Sequence, residues 1–274
     1  MRLKSIFGRI SRFLARPPEQ RARILKLRTQ WFAGAIFFRL LGWNINHRRS
    51  PLLLVYKPQF DYVCDRFPEY RAFREYWVHG NAQNRGDLLR LYTIALNAKQ
   101  LDLDDVRGDF AELGVYKGNS AKVLSALKGP RHLYLFDTFS GFDRRDLRNL
   151  DKTHRGDSFS DVSLDDVRSF VGIDGVSYAA GWFPQSVSAA ASNARYALVH
   201  IDCDLYDPAK AALEFFYPRL SPGGLLLIHD YSSGLWPGLT QAVDEFIKTI
   251  GERLVLIPDA SGTASLRKSQ VAVR

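Results

Sequence analysis

The feature that most constrains the fold is an alternation of short apolar runs with stretches of helical periodicity, which starts at Gly108. Strands that alternate with helices predict βαβ units and a mainly parallel sheet. Such a sheet binds ligands outside the carboxyl ends of its strands, where the strand order reverses. The predicted strands are Asp109–Gly114, Arg131–Asp137, Val176–Ala179, Tyr196–Asp202, Leu225–Asp230 and Leu254–Ile257, and the predicted helices cover 118–128, 161–171, 184–193, 207–219 and 238–250.

Charge and pattern divide the chain into a basic helical arm (1–60), a helical lead-in (61–105) and the domain with the alternating pattern (106–274). The arm holds 13 of the 38 Lys and Arg residues and one of the 29 acidic residues, so the net charge of +9 belongs to the arm. A nucleic-acid enzyme more often lines its active groove with bases. The slightly acidic remainder of this chain therefore predicts no nucleic-acid partner.

The first residues of the arm, 2–16, form a basic amphipathic pattern that Pro17-Pro18 ends. This pattern predicts a helix that either lies on anionic lipid or an acidic partner, or packs on its own domain or on a second subunit. The longest apolar stretch, Trp31–Trp43, would cover only about 20 Å as a helix, which is too short to span a bilayer.

Cysteine usage bears on the compartment in which the chain works. Cys64 and Cys203 have no paired or metal-binding spacing, which favours a reducing compartment. We therefore expect a cytoplasmic protein that could touch the inner membrane surface through residues 2–16.

The first predicted strand runs into Glu112-Leu113-Gly114-Val115-Tyr116-Lys117-Gly118-Asn119-Ser120. Gly114 and Gly118 allow the turn to approach a ligand closely, and the helix start at 118–120 presents backbone N–H groups that suit a carboxylate. Glu112 stands where a dinucleotide-binding motif has its first glycine, next to pyrophosphate. An acid there favours a ligand with a positive amino group and no phosphate, which matches the amino acid part of a methionine derivative.

Two further features point to an adenosine-containing ligand. Asp137 ends the second strand 19 residues after Gly118, a distance at which an acid can accept hydrogen bonds from both ribose hydroxyls. It could instead cap a turn. Trp182, after the third strand, could cover an adenine ring or belong to the core.

The ends of the fourth and fifth strands carry the acidic chemistry. Asp202 ends the fourth predicted strand and Asp204 lies two residues beyond it, while His229 and Asp230 end the fifth. Buried acids at strand ends need a cation or a proton, so these residues predict a divalent metal site or a proton-handling cluster. Alternatively, Asp204 and Asp230 cap the helices that follow.

Together these residues resemble the macrocin-type O-methyltransferases, which methylate sugar hydroxyls of macrolide and aminocoumarin antibiotics. The resemblance covers about residues 85–250. It implies a Rossmann-like methyltransferase fold, with a mainly parallel seven-stranded sheet flanked by helices and a helical N-terminal extension. The matching segments are Glu112–Val115, Asp137–Gly141, Gly181–Pro184, Ile201–Tyr206, Tyr217–Gly224 and His229–Tyr231.

The resemblance also implies roles for particular residues. S-adenosylmethionine would bind with Glu112 at its methionine end and Asp137 at its ribose, Asp204 would be the general base, and the protein would be a homo-oligomer, commonly a dimer. Magnesium would be held by Asp202, His229 and Asp230, and the catalytic set would be Asp202, Asp204 and His229. The full predicted cofactor set is Glu112, Gly114, Tyr116, Gly118, Asn119, Ser120, Asp137, Thr138, Phe139, Gly181, Trp182 and Asp202.

One position departs from the family pattern, because His229 replaces an acid. Magnesium prefers oxygen ligands, so the site could bind Mn²⁺ instead of Mg²⁺, bind metal weakly, or use none. His229 could also act as an acid or base.

The sequence thus predicts a metal-assisted O-methyltransferase for a hydroxyl of a sugar, glycan or other small molecule. Tyr206, Tyr231 and Trp236 are candidates to face that acceptor. A non-catalytic or membrane-docked binding protein on the same fold remains the alternative, and Glu112 argues against a nicotinamide-dependent oxidoreductase.

Overall fold

The computed structural model describes residues 88–259 and 261–269, together with the single positions 14, 18, 21, 22, 25 and 29. Both continuous segments belong to the unit Phe73–Arg274. The predicted helix over 2–16 and most of the arm and lead-in lie outside the described residues. The division into 1–60, 61–105 and 106–274 therefore stays a prediction.

Within the described residues the sheet has seven strands, in the order β3-β2-β1-β4-β5-β7-β6. β1 to β5 are parallel, whereas β7 runs antiparallel to both β5 and β6. This confirms the predicted Rossmann-like methyltransferase fold. The strands are β1 (Asp109–Leu113), β2 (Leu133–Asp137), β3 (Val176–Ala180), β4 (Tyr196–Ile201), β5 (Leu220–Ile228), β6 (Val255–Leu256) and β7 (Ala264–Arg267).

Helices connect the parallel strands. Ser163 and Ser188 cap two of them, because each hydroxyl accepts a hydrogen bond from a backbone N–H of the first turn. No helix among the described residues is both long enough and apolar enough to cross a membrane. The helices are α1 (Leu88–Leu103), α2 (Asn119–Leu127), α3 (Leu164–Val171), α4 (Ala189–Asn193), α5 (Tyr206–Arg219) and α6 (Pro237–Ile247), and Asn149–Asp151 forms a 3₁₀ turn.

The parallel register brings the carboxyl ends of the central strands to one edge. Leu113 at the end of β1 is level with Phe136 of β2 and Ile201 of β4, and Ile201 is level with Ile228 of β5. All four side chains are buried. The residues that follow these strands therefore meet above the core, at the reversal of strand order between β1 and β4, where such sheets bind ligands.

The sheet differs from the sequence prediction mainly at its antiparallel side. β7 was not among the predicted strands, and β5 begins at Leu220 rather than Leu225. Leu220 pairs with Tyr196 of β4, and Gly223 and Gly224 exchange backbone hydrogen bonds with Lys268 just beyond β7. A glycine pair is a poor local strand signal, and only the partner strand draws it into the sheet.

Candidate active site

A cavity of about 310 Å³ lies at the carboxyl ends of the central strands. Its wall combines the loops after β1, β2, β3, β4 and β5 with Arg90 of α1. Most of the predicted site residues therefore meet at one place. Those that line the cavity are Gly114, Tyr116, Asn119, Ser120, Asp137, Thr138, Gly181, Trp182, Asp202, Asp204, His229 and Asp230.

The turn after β1 is shaped by Gly114 and Asp137. Gly114 has φ +87°, and a Cβ built on it would lie 1.9 Å from the backbone oxygen of Asp202. One carboxylate oxygen of Asp137 accepts hydrogen bonds from the backbone N–H groups of Val115 (2.7 Å) and Tyr116 (2.9 Å). The other accepts from the N–H of Phe139 at 2.7 Å. The loops after β1 and β2 are thus joined by one acid at the cavity wall.

The start of α2 offers backbone N–H groups to the cavity. Gly118 precedes the helix with φ +81°, and no side chain caps the helix start. Asn119 and Ser120 of the first turn line the cavity. A helix start of this kind suits an anionic group such as a carboxylate.

Glu112 lies beneath this cavity and does not line it. Its side chain is fully buried, and its Oε1 is 2.7 Å from Nδ1 of His200 on the adjacent strand β4. Its Oε2 has no hydrogen-bond partner in the described part of the chain. A contact between Glu112 and a ligand ammonium group therefore stays a prediction, and it would require the carboxylate to turn toward the cavity.

An acidic cluster lies at the ends of β4 and β5. Nδ1 of His229 is 2.8 Å from Oδ1 of Asp202 and 3.0 Å from Oδ2 of Asp230. The other oxygen of Asp202, Oδ2, accepts a hydrogen bond of 2.5 Å from the guanidinium of Arg90. Burial raises the pKa of Asp202, but His229 and Arg90 outweigh burial and hold that pKa below its usual value.

Asp204 lies beside this cluster. Its side chain is buried, and its backbone has φ +64° in the turn before α5. Burial and the neighbouring carboxylates of Asp202 and Asp230 raise the pKa of Asp204 well above its ordinary value. A carboxylate with a raised pKa is a stronger base once it is ionised.

The geometry bears directly on the predicted metal site. Donor atoms of Asp202, His229 and Asp230 all lie within 4.8 Å of one another, so the structure brings the predicted ligands together. However, both oxygens of Asp202 already face protein donors, Arg90 and His229. The donor set also includes an imidazole, which suits Mg²⁺ poorly. In this arrangement the residues do not fit a divalent ion.

The loop over 138–163 closes the cavity on its outer side. Asp146 accepts hydrogen bonds from the indole N–H of Trp182 with both oxygens, at 3.0 and 2.9 Å. Buried Asp151 accepts from the backbone N–H of Tyr206 at 2.8 Å, which holds the loop at the start of α5. Phe142 and Phe159 of the loop line the cavity with Trp236.

The comparisons with known proteins agree with this arrangement. Residues 86–258 match the macrocin O-methyltransferase (TylF) family over more than half of the chain. The chain belongs to the macrocin O-methyltransferase family. The match covers every strand from β1 to β6, and hence all the loops that line the cavity.

The curated relatives that match this chain are named as O-methyltransferases. A tetracenomycin-C 4'-O-methyltransferase of Streptomyces olivaceus, named for its dimethoxy-rhamnosyl substrate, is 31% identical over 160 residues, which are 53% of this chain and 61% of that protein. The mycinamicin III 3''-O-methyltransferase of Micromonospora griseorubida is 32% identical over 160 residues, 52% of this chain and 61% of that protein. The chain therefore spans less than two thirds of the length of these relatives.

Solved structures support the fold. The O-methyltransferase NovP superimposes with a TM-score of 0.60 at 21% identity, covering 77% of this chain and 99% of NovP. The calicheamicin methyltransferase CalS11 superimposes with a TM-score of 0.57 at 22% identity, covering 78% of this chain and 94% of CalS11. At this identity the likeness shows a shared fold.

Three residues of the predicted cofactor set do not line the cavity of this family member, namely Glu112, Gly118 and Phe139. Gly118 packs against α3 instead, since a Cβ on it would lie 2.7 Å from Val171. Of the aromatic candidates, Trp236 lines the cavity, whereas Tyr206 and Tyr231 do not and donate hydrogen bonds to acids of α6.

Sequence reasoning did not find Arg90 and Asp146. Arg90 lies on α1, 112 positions before its partner Asp202, in a segment without a motif. Asp146 lies in a loop rich in Asp and Arg, where nothing distinguishes it from its neighbours. The spacing of apolar residues in α1 could have indicated which face of that helix packs against the domain. It could not have indicated that Arg90 reaches the end of β4.

Asp146 gives a prediction about stability and pH. Burial raises its pKa from 3.8 to about 6, so the folded chain holds this proton more tightly than the unfolded chain does. The wild type should therefore lose stability as the pH rises from about 4 to above 6, by up to about 3 kcal/mol for a shift of this size. Asp146→Asn keeps an acceptor for Trp182 and should be more stable than the wild type at pH 7.5, with the difference disappearing near pH 4.

Chemical denaturation of both proteins across this pH range measures the difference. Asp143→Asn is the matched control, because Arg145 lowers the pKa of Asp143. Its effect should have the opposite sign, with the variant less stable than the wild type at neutral pH. A pH-independent difference between the wild type and Asp146→Asn would contradict the assignment.

Proposed function

We propose that this chain is an S-adenosylmethionine-dependent O-methyltransferase that acts on a hydroxyl of a sugar or a sugar-bearing small molecule. The observation that carries the proposal is the composition of the cavity at the ends of β1 and β4. One side offers a tight glycine turn, a helix start and Asp137, and the other side offers half-buried Asp202 and buried Asp204. Membership of the macrocin O-methyltransferase family supports the same activity.

The residues of the first side fit S-adenosylmethionine. The first turn of α2, at Asn119 and Ser120, would receive the methionine carboxylate, and Asp137 would accept hydrogen bonds from the ribose. Because Gly114 has no side chain, the turn after β1 lies directly against the backbone at the end of β4. A bound ligand could therefore approach the backbone closely at this point. Trp182, fixed by Asp146, would cover the adenine.

The second side would handle the acceptor. S-adenosylmethionine supplies an activated methyl group, whose carbon forms a bond to the acceptor oxygen while the carbon–sulfur bond breaks and sulfur keeps the electron pair. The protein must orient the acceptor hydroxyl and take up its proton. Asp204 lines the cavity, is buried beside Asp202, and is the group that we assign to accept this proton.

An aromatic wall faces the acceptor side. Phe142, Phe159 and Trp236 contact one another, with ring centroids 5.4 Å, 5.8 Å and 6.4 Å apart. Such rings cover the apolar faces of sugars and of ring-bearing groups attached to them. The tetracenomycin-C relative described above carries a rhamnosyl group in the name of its acceptor, and we extend that acceptor class to this chain.

Cofactor binding tests the first half of the proposal. Calorimetry should detect binding of S-adenosylmethionine and S-adenosylhomocysteine, and no binding of NAD⁺. Asp137→Ala should weaken S-adenosylhomocysteine binding about 10–100-fold, because it removes charge-assisted hydrogen bonds. Exposed Asp174, just before β3, provides the control Asp174→Ala, whose affinity should equal that of the wild type. If the purified chain bound neither S-adenosyl compound, the proposal would be wrong.

Transfer of a labelled methyl group to glycosylated acceptors tests the second half and separates an enzyme from a binding protein on the same fold. We also propose that the protein works in the cytoplasm as a homo-oligomer and that residues 2–16 mediate any membrane contact. Analytical ultracentrifugation would test the oligomeric state, and sedimentation with anionic vesicles would test the membrane contact.

A further inference from the structure

One carboxylate of the acidic cluster, Asp202, is paired with a positive charge from within the chain. Arg90 donates to Oδ2 of Asp202, and the two side chains are equally shielded, each 17% exposed. A guanidinium stays protonated at every pH at which proteins work, so this positive charge is permanent. It comes from α1, an element outside the strand-end loops that supply the acids.

His229 makes the second internal connection. Its Nδ1 lies between Oδ1 of Asp202 and Oδ2 of Asp230, at 2.8 and 3.0 Å, and its side chain is only 6% exposed. Both carboxylates therefore approach the same ring nitrogen at ion-pair distance. It occupies the space between the two acids, where a bridging ion would otherwise have to bind.

We propose that Arg90 and His229 take the place of a divalent metal in this chain, so that methyl transfer needs no metal ion. The inference rests on the proposed function for its catalytic part. Arg90 neutralises Asp202, His229 links Asp202 to Asp230, and Asp204 is left to accept the proton of the acceptor hydroxyl. A divalent ion would have to displace the guanidinium from Asp202 and would be repelled by its charge.

Arg90 is thus a positioning residue, because it acts on the acceptor through Asp202. Loss of its charge would leave Asp202, Asp204 and Asp230 close together without their permanent counter-ion. This effect should appear in the transfer rate and in metal affinity, and not in cofactor affinity, because Arg90 pairs with Asp202 on the acceptor side of the cavity.

Titration of the full-length chain with Mn²⁺, followed by electron paramagnetic resonance, tests the inference without an acceptor. The wild type should not bind Mn²⁺ at millimolar concentration. His229→Asp, which restores a carboxylate, combined with Arg90→Gln should bind one Mn²⁺ per chain. Binding of one Mn²⁺ by the wild type, lost in Asp202→Asn, would overturn the proposal.

Activity gives a second readout. Methyl transfer by the wild type should be unchanged by EDTA and by added Mg²⁺, and restoration of an EDTA-abolished activity by Mg²⁺ would overturn the proposal. Arg90→Gln should lower kcat about 10²-fold, with partial recovery in Arg90→Lys and unchanged S-adenosylhomocysteine affinity. A kcat for Arg90→Gln equal to that of the wild type would also count against the proposal.

Arg131→Gln is the matched control for Arg90→Gln. Arg131 is 14% exposed, and its guanidinium lies 2.5 Å from Asp102, so it is also a shielded arginine in an ion pair, but it does not line the cavity. Its kcat should equal that of the wild type. If no acceptor were methylated at all, the proposed function would fail, whereas the Mn²⁺ titration would still decide the metal question.

Discussion

Replacing Asp204 by Asn is expected to lower kcat by about 10²–10⁴-fold, the usual contribution of a general base, while S-adenosylhomocysteine affinity stays unchanged. The amide cannot accept the proton that the acceptor hydroxyl must lose. Asp204 lines the cavity and is buried beside Asp202, which makes it our candidate base. Single-turnover transfer of a labelled methyl group measures the effect.

Asn is a well-matched replacement at this position. Asp204 has φ +64°, a conformation that Asn adopts more readily than most residues, so the turn before α5 should be preserved. Asp207→Asn provides the control, since Asp207 lies in the same turn region but pairs with Arg148 outside the cavity. A kcat for Asp204→Asn within a few-fold of that for Asp207→Asn would remove Asp204 from the mechanism.

The second large effect is expected from Gly114→Ala, which should destabilise the fold by about 3–5 kcal/mol and weaken cofactor binding. The new Cβ would lie 1.9 Å from the backbone oxygen of Asp202. That oxygen cannot move easily, because Asp202 donates its own N–H to Leu113 at 2.8 Å and so continues the pairing of β4 with β1. The clash would force the ends of these strands apart at the cavity floor.

Gly129→Ala separates the clash from backbone strain. Gly129 also has a positive φ, +60°, but a Cβ on it would meet nothing within 4 Å. Gly129→Ala should lower the free energy of unfolding by only about 1–2 kcal/mol, because an L-residue is strained in this backbone conformation. Thermal unfolding and calorimetry with S-adenosylhomocysteine compare the two variants. If Gly114→Ala were as stable as Gly129→Ala, the ends of β1 and β4 could move apart without loss of stability. The close approach at Gly114 would then not be needed for the fold.

The alternating pattern after Gly108 was sufficient to predict the parallel sheet, because strand and helix periodicities are local properties of the chain. The same pattern placed Asp202, Asp204, His229 and Asp230 at strand ends. Parallel strands in register bring their carboxyl ends to one edge, so the convergence of these residues followed without knowledge of side-chain contacts. The resemblance to the macrocin family added the expected seventh strand, but not its position.

The placement of individual charges was decided only by the tertiary structure. The expected contact of Glu112 with the ligand stays a prediction, and the packing of β1 against β4 adds a partner that the sequence did not indicate, His200. The metal expectation depended on free carboxylates, whereas α1 brings Arg90 to Asp202 across 112 positions of sequence. Spacing along the chain specifies which elements form and which edge they share. Which side chains neutralise one another depends on how those elements pack. No local sequence pattern encodes a contact between residues that are so far apart in the chain.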